Sequence, residues 1–335
     1  MDDLDRQLLI SLQKGIPVHS RPFEIIGRKI GAGSADVLLR LARLKEEGII
    51  SRFSALFDMK RLGYRALWAA MKVAASRAGE AARAVGEHPG VFHCLQREGE
   101  FNLWFGMMLP AAEPADEHLR SLEEAARAEK TLKLPALKIY KAGFEPGERS
   151  AHVADPAQVL DAEEIEIIRR LQDDFPFTDE PYRRIAREAG MNESRLFEIL
   201  ARLTALGILK RIEALMTLDP KAYARHRMIA WQVPEEKRDD TGRRMALLED
   251  VKVCTKRPVY PEFPYSIYTA ISASDSAEAG QVALKIESEI GKWPRIIFEE
   301  IAEYKRIRPK YFTHELDRWR ENMNAVPDSQ KGVVS

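Results

Sequence analysis

Residues 5–56 read DRQLLISLQKGIPVHSRPFEIIGRKIGAGSADVLLRLARLKEEGIISRFSAL, and residues 164–215 read EIEIIRRLQDDFPFTDEPYRRIAREAGMNESRLFEILARLTALGILKRIEAL. The two stretches align without a gap at one constant offset (164 − 5 = 159). Leu12-Gln13 returns as Leu171-Gln172, Pro17 and Pro22 as Pro176 and Pro181, and Gly31 as Gly190. The run LARL at 41–44 returns at 200–203, Gly48-Ile49 as Gly207-Ile208, and Arg52 as Arg211. Such regularity means two copies of one module, so any site has to be explained by a pseudo-symmetric pair.

Each copy reads as three helices and a strand. Leu4, Leu8, Leu9 and Leu12 share one helical face, Gly15 and Pro17 break the pattern, and Pro22 sits where a helix can begin, because its missing N–H would be unpaired there anyway. Gly31 stops that short helix, and Ser34 is expected to cap a third helix that buries Val37, Leu38, Leu41 and Leu44, with Asn192 as the cap in the second copy. Ile49–Phe57 then alternates like a strand. Three helices, a short turn and a strand make a winged helix-turn-helix.

The remainder of each half alternates strand and helix. In the first half Ala66–Ala74 is a strand, Arg77–Glu87 a helix, and Val91–Arg97 with Phe101–Leu109 a hairpin around Glu98–Glu100. Glu113–Glu129 is a helix and Leu134–Phe144 a last strand. Arg227–Val233, a helix near Glu235–Glu249, Val251–Lys256, Tyr265–Ser272, a helix over Ser276–Ile290 and a strand over Arg295–Ile307 repeat the order. That βαββαβ order is the ferredoxin-like split unit. The expected fold class is α+β, a tandem duplication of winged helix-turn-helix plus ferredoxin-like domain. The expected boundaries are 1–58, 62–145, a linker at 146–160, 161–217, 225–312, and a tail at 313–335 that frays after Leu316.

Composition excludes several classes. Of 335 residues 45% are hydrophobic and 31% charged, and no low-complexity tract occurs, which describes a globular chain rather than a disordered one. Lys plus Arg equals Asp plus Glu at 52 each, so no global field favours DNA or an anionic membrane. The opening MDDLDRQLL lacks a signal-type apolar core, and no apolar run approaches membrane-spanning length. Two cysteines, Cys94 and Cys254, make neither a disulfide framework nor an unaided zinc site. A reduced, cytoplasmic protein without a membrane partner is expected.

Helix-turn-helix plus ferredoxin-like domain resembles the Lrp/AsnC family of regulators, and three segments narrow the resemblance to the siroheme decarboxylases, whose D-type and L-type subunits are sometimes fused. The first is LQKGIPVHSRPFEIIGRKIG at 12–31 with LGY at 62–64. The second is VFHCLQREGEFNLWF at 91–105, and the third CTKRPVYPEFPYSIY at 254–268; YKRIRPKYF at 304–312 is similar to the matching end segment. The resemblance implies removal of the C12 and C18 acetate carboxyl groups of siroheme, giving 12,18-didecarboxysiroheme for heme or heme d1 synthesis, with no cofactor beyond siroheme itself. A second homologous subunit or a homodimer is the further partner it implies. The chain departs from the family pattern at Leu95 (Tyr there), Gly99 (His), Val253 (His), Thr255 (Tyr), Phe263 (Trp) and Ser266 (Asn).

Siroheme carries many carboxylates, which a protein meets best with planar, two-pronged arginines. Arg97 and Arg257 stand at equivalent hairpin positions, and Tyr140-Lys141 and Tyr304-Lys305 form a second repeated pair. With the resemblance, His93, Arg97 and Tyr140 are the expected catalytic residues, with His93 or Tyr140 as proton source. Arg97, Asn102, Trp104, Lys141, Arg257, Tyr265, Tyr304, Lys305, Arg306 and Arg308 are the expected substrate contacts. His93, ahead of Cys94 or Cys254, is the expected axial ligand of the substrate iron. Each residue has a plainer reading: Arg97 as an inter-domain ion pair, Trp104 as core, the basic run at 305–310 as a solvated strand face.

Two other functions compete. A transcriptional regulator needs a basic or amide-rich recognition helix, whereas here the third helices open Ser34-Ala35-Asp36 and Asn192-Glu193-Ser194, so acidic groups would face phosphate and DNA is not expected as a partner. A non-catalytic tetrapyrrole-binding subunit is the third class, favoured by Leu95 and Gly99.

Overall fold

The structure, a computed structural model, describes residues 1–142, 160–216 and 226–325; most of the expected linker at 146–160 and the end of the expected tail lie outside them. The first half runs α1 (Asp3–Lys14), α2 (Pro22–Ile30), α3 (Ser34–Glu46), β1 (Ile50–Phe57), β2 (Tyr64–Lys72), α4 (Ala78–Glu87), β3 (Val91–Arg97), β4 (Leu103–Pro110), α5 (Ala115–Ala126), β5 (Lys130–Lys133) and β6 (Lys138–Lys141). The second runs α6 (Ala162–Leu171), α7 (Pro181–Glu188), α8 (Glu193–Ala205), β7 (Leu209–Met216), β8 (His226–Trp231), α9 (Arg238–Leu247), β9 (Val251–Lys256), β10 (Ile267–Ser272), α10 (Ser276–Ile290), β11 (Arg295–Ile297), β12 (Glu300–Arg306) and α11 (His314–Ala325). Among the described residues no helix is long and apolar enough to cross a membrane.

The chain divides into two compact units, one gathering both helix-turn-helix modules with 310–312, the other gathering both ferredoxin-like parts. In the first unit Asp2 and Asp5 close a capping box at α1, and Asp161 and Glu164 close the same box at α6. Asn192 caps α8 through the Arg195 N–H (2.8 Å), as its sequence position predicts. Ser34 does not cap α3: Gly33 holds that place and the Ser34 hydroxyl donates to Asp179 (2.8 Å). The two strands do not form separate wings. β1 and β7 pair with each other, Phe53 opposite Ala214 and Ala55 opposite Ile212, so each module supplies the partner that the other's backbone needs.

The second unit holds two five-stranded sheets, each covered on one face by its own helices. Sheet 1 has the order β12-β3-β4-β2-β5 and sheet 2 the order β11-β8-β10-β9-β6. The single last strand expected in each half is therefore two short ones. β5 stays on its own sheet beside β2, Leu134 is buried, Pro135 interrupts the ladder, and β6 joins β9 of the other half. Likewise β11 pairs with β8, Phe298 is buried, and β12 joins β3. Helices α4 and α5 pack on sheet 1 over Leu67, Met71, Phe105 and Met107, and the equivalent core of sheet 2 includes Ile229, Trp231, Ile271 and Ile286.

Each exchanged strand is anchored by its Tyr-Lys pair, which sits at a β-bulge. Tyr140 donates to Asp239 (2.5 Å) and Lys141 to the Leu248 carbonyl (2.8 Å); Tyr304 donates to Gln96 (3.0 Å) and Lys305 to the Gly86 carbonyl (2.6 Å). The Tyr140 ring lies so close to α9 that a Cβ on Gly242 would fall 2.3 Å from it, whereas a Cβ on Gly79 would meet the Tyr304 hydroxyl at 3.3 Å.

Residues after Leu316 do not fray at once; they continue α11 as far as Ala325. Trp319 stacks on His118 (4.7 Å, 12°) and meets His88 edge-on (4.3 Å). The Gly90 N–H donates to His88 Nδ1 (2.9 Å), so the neutral His88 ring carries its proton on Nε2 and donates to His118 Nδ1 (3.0 Å). His118 in turn donates to Glu113 (2.9 Å). Burial, joined by His118 and Lys305, pushes His88 down to about 3.

Two outcomes follow from this packing. Between about pH 6.5 and pH 3 the unfolded chain binds a proton at residue 88 that the folded chain refuses, so stability falls on acidification by up to about 1.4 kcal/mol per pH unit from this group. His88→Leu, the residue already present at the equivalent Leu248, should flatten that dependence in urea titrations from pH 7 to pH 4. Gly242→Ala should lower stability by about 1–3 kcal/mol through overpacking against Tyr140, while Gly79→Ala should be neutral or stabilising.

Candidate functional site

Alternation along β3 sends Cys94 to the helices, where its thiol meets the Ala82 carbonyl (3.7 Å), and His93, Leu95 and Arg97 to the opposite face. On that face His93 Nε2 lies 2.9 Å from Glu303 of the exchanged strand β12. Arg306 Nε donates to the same carboxylate oxygen (2.5 Å). The His93 hydrogen bond, seconded by Arg306, outweighs burial and holds Glu303 down at about 2. An ionised Glu303 only accepts, so Nε2 of His93 carries a proton, and Nδ1 is left without a hydrogen-bond partner among the described residues. Trp68 meets the imidazole edge-on (5.5 Å) and Phe92 meets Trp68 (5.9 Å). A half-open patch thus joins one imidazole, its carboxylate, a guanidinium and two aromatic rings.

The pseudo-equivalent patch on sheet 2 has none of this. Pairing partners there put Val253 for His93, Ile139 for Glu303, Ala142 for Arg306 and Met228 for Trp68. The site is built once per chain, from both halves.

The arginines expected to clamp carboxylates are buried at the junction of the two sheets. Arg97, 4% exposed, lies over Trp104 (5.1 Å) and Phe298 (4.9 Å), with Glu300 (3.4 Å) and the Met228 sulfur (3.5 Å) on its nitrogens. Arg257, 5% exposed, lies over Tyr268 (5.4 Å) and donates to the Leu134 carbonyl. Trp104 is buried among Arg97, Phe263 and Phe298, and Tyr265 packs on Phe263 (4.9 Å). Asn102 spends its amide on the backbone of Val73, as Ser266 spends its hydroxyl on Val233.

Tyr140, Lys141, Tyr304 and Lys305 serve the strand anchors described above. Tyr140 belongs to sheet 2, its phenol pushed up by burial and by Asp239, and is not brought to His93. Of the basic run only Arg306 joins the patch; Arg308 follows β12. Cys94 and Cys254 are buried thiols, both pushed up to about 12 by burial. Among the described residues no cluster of three His, Cys, Asp or Glu side chains could hold a metal, so His93 would meet a substrate iron alone. Gly99 turns the hairpin at φ 111°, backbone that an L residue rarely adopts, so a histidine there would strain this turn. Glu303 escaped the sequence reading: its equivalent in the first copy is Ile139, and only the strand exchange shows what it faces.

Two open clefts of about 350 and 710 Å3 lie on the second helix-turn-helix module and contain none of these residues. Nor is that module's surface free to grip phosphate. Arg40 bonds Asp2, Asp5 and Asp36, Arg43 bonds Asp5, Arg195 bonds Glu163 and Glu198, and Arg202 bonds Glu164. The recognition-helix arginines are tied to carboxylates of their own modules.

Comparison with known proteins agrees with the duplicated architecture. The family described as siroheme decarboxylase NirDL-like HTH domain matches residues 5–50 and 164–209, and AsnC-like ligand binding domain matches 61–141 and 223–305. The chain is 28% identical over 329 residues to the siroheme decarboxylase of Hydrogenobacter thermophilus, covering 95% of this chain and 97% of that one. It is 30% identical over 308 residues to the siroheme decarboxylase NirDL subunit of Paracoccus denitrificans, covering 89% and 94%. The crystal structure of siroheme decarboxylase NirDL in co-complex with an iron-uroporphyrin III analogue superposes with TM-score 0.80 at 26% identity, covering 97% of this chain and 100% of that one. With both modules matched twice and its length covered almost end to end, this chain belongs to the siroheme decarboxylase family in its fused, two-module form.

Proposed function

We propose that the chain is a carboxy-lyase acting on siroheme, and that the His93 patch on sheet 1 is where an acetate group is decarboxylated. The observation that carries this reading is the His93–Glu303 pair beside Trp68, in a fold that matches a relative solved with an iron-uroporphyrin analogue. Decarboxylation breaks the bond between the acetate methylene and its carboxylate. Carbon dioxide leaves, the electron pair passes into the conjugated macrocycle, and a proton delivered to the methylene carbon leaves a methyl group. The protein supplies orientation, a carboxylate stripped of water, and the proton.

His93 suits proton delivery because Nε2–H is held by Glu303 while Nδ1 is available to carry the transferred proton. The anionic Glu303 stabilises the imidazolium that precedes transfer. The flat aromatic rings of Trp68 and Phe92 favour an apolar macrocycle edge. Arg97 and Arg257 act in this reading by joining the sheets; a direct hold on substrate carboxylates would require them to leave their ring and carbonyl partners. The product is 12,18-didecarboxysiroheme, the substrate of later steps toward heme or heme d1, and no cofactor other than the substrate itself is invoked.

Anaerobic incubation of the purified chain with siroheme, followed by mass spectrometry of the extracted pigment, should show loss of one and then two carbon dioxide units; an unchanged mass with a shifted absorbance spectrum would instead mean a binding subunit. His93→Ala should slow decarboxylation by about 10²–10⁴-fold while leaving siroheme affinity within a few-fold. If His93 also ligates the iron, the absorbance of the bound pigment moves in the same variant. Arg97→Ala should lower the unfolding midpoint, because it removes a buried cation and empties the space between Trp104 and Phe298. Labelled duplex DNA should show no shift at physiological salt; a shift that falls steeply with added salt would favour a regulator.

A further inference from the structure

We infer that each chain has one working decarboxylation site, and that Glu303 is its positioning residue, supplied to His93 of the first half by the second half through strand exchange. The inference rests on the siroheme reading above and deepens it. Three observations carry it. Glu303 reaches His93 only because β12 leaves its own half and pairs with β3, placing Arg306 opposite His93 and Glu303 two pairs away along the same ladder. Its carboxylate accepts from His93 Nε2 (2.9 Å) and from Arg306 Nε (2.5 Å), so it is gripped from both sides and fixes the imidazole tautomer. The mirror position repeats the backbone without the chemistry, since β6 brings Ile139 and Ala142 to Val253 on β9.

The division of labour follows from these placements. Residues of the first half, His93, Trp68 and Phe92, make the face that would meet the substrate. The second half gives a side chain that need not touch the substrate, but sets which imidazole nitrogen is left for it. Sheet 2 keeps the arginine and the strand anchor that hold the pair together. Two acetate groups would then be processed in turn at one place, the macrocycle being released or turned between steps, rather than one at each sheet.

The test compares the full-length wild type with Glu303→Gln, Glu303→Asp, and the silent-side pair Val253→Ala and Ile139→Ala. Expected for Glu303→Gln is a kcat about 10–100-fold lower with KM for siroheme within a few-fold, and partial recovery in Glu303→Asp. In 15N NMR of labelled histidine, the wild-type His93 ring should show one hydrogen-bonded Nε2–H tautomer, and Glu303→Gln should lose it. Val253→Ala and Ile139→Ala should turn over at the wild-type rate and remove both carboxyl groups. A wild-type kcat and unchanged His93 signals in Glu303→Gln would overturn the positioning role. Loss of only one of the two carbon dioxide units in the silent-side variants would overturn the single site. An inactive wild type would sink the siroheme reading itself, and the NMR comparison would still decide whether Glu303 holds His93.

Discussion

Backbone pairing between β12 and β3, and between β6 and β9, is the constraint on which the rest of the ferredoxin-like unit depends. A strand placed in another half's sheet can be held only by hydrogen bonds and by side chains that lock its register. The bulged Tyr-Lys pairs do the second task by reaching into the ends of α4 and α9. Once the strands are exchanged, the helix-free faces of the sheets are brought together, and each contributes an arginine to aromatic and carbonyl partners at their junction. Cation–π contacts of this buried kind are worth about 2 kcal/mol or more each, so the arginines cement an arrangement that pairing dictates.

Duplication leaves one half free to change once the other performs the chemistry. What the two copies kept is architectural: Asn102 and Ser266 pin equivalent turns, Cys94 and Cys254 fill equivalent gaps beneath the helices, and Asp5 and Glu164 receive arginines from equivalent recognition helices. What differs is reactive. The imidazole, its carboxylate and the tryptophan occur on one side, and valine, isoleucine and methionine on the other. The hairpin with Gly99 at positive φ belongs to the reactive side as well, so its loop is shaped for something other than the histidine of the family pattern.

Much of this was legible beforehand. The constant offset between the copies, the proline starts of α2 and α7 and the helix-then-hairpin order gave the domain types, because local periodicity and turn chemistry determine them. His93 was legible through the hairpin motif. The destination of the last strand was not: Leu134–Phe144 alternates whichever sheet it joins, and neither Pro135 nor the inward Leu134 says across which edge the chain continues. Missing the exchange meant missing Glu303, since a lone glutamate in a strand of mixed charge is ordinary until its neighbour is known. Arg97 and Tyr140 were recognised as unusual, but unusual for holding the fold: a buried guanidinium between rings and a phenol on a carboxylate look the same in sequence as substrate contacts. The helix after Leu316 was hidden because its anchor, Trp319 on His118, lies roughly two hundred positions from its partner.

The distance in sequence between His93 and Glu303 is 210 residues. During synthesis the open edge of β3 therefore waits, its N–H and C=O groups unpaired, until nearly the whole chain has emerged. An exposed edge with apolar neighbours is a template for pairing with the wrong strand, including the β12 of another nascent copy. Long loop closures of this kind also slow folding. The same geometry that shares one reaction centre between two halves therefore makes the chain's yield depend on concentration and on protection of that edge while it is being made.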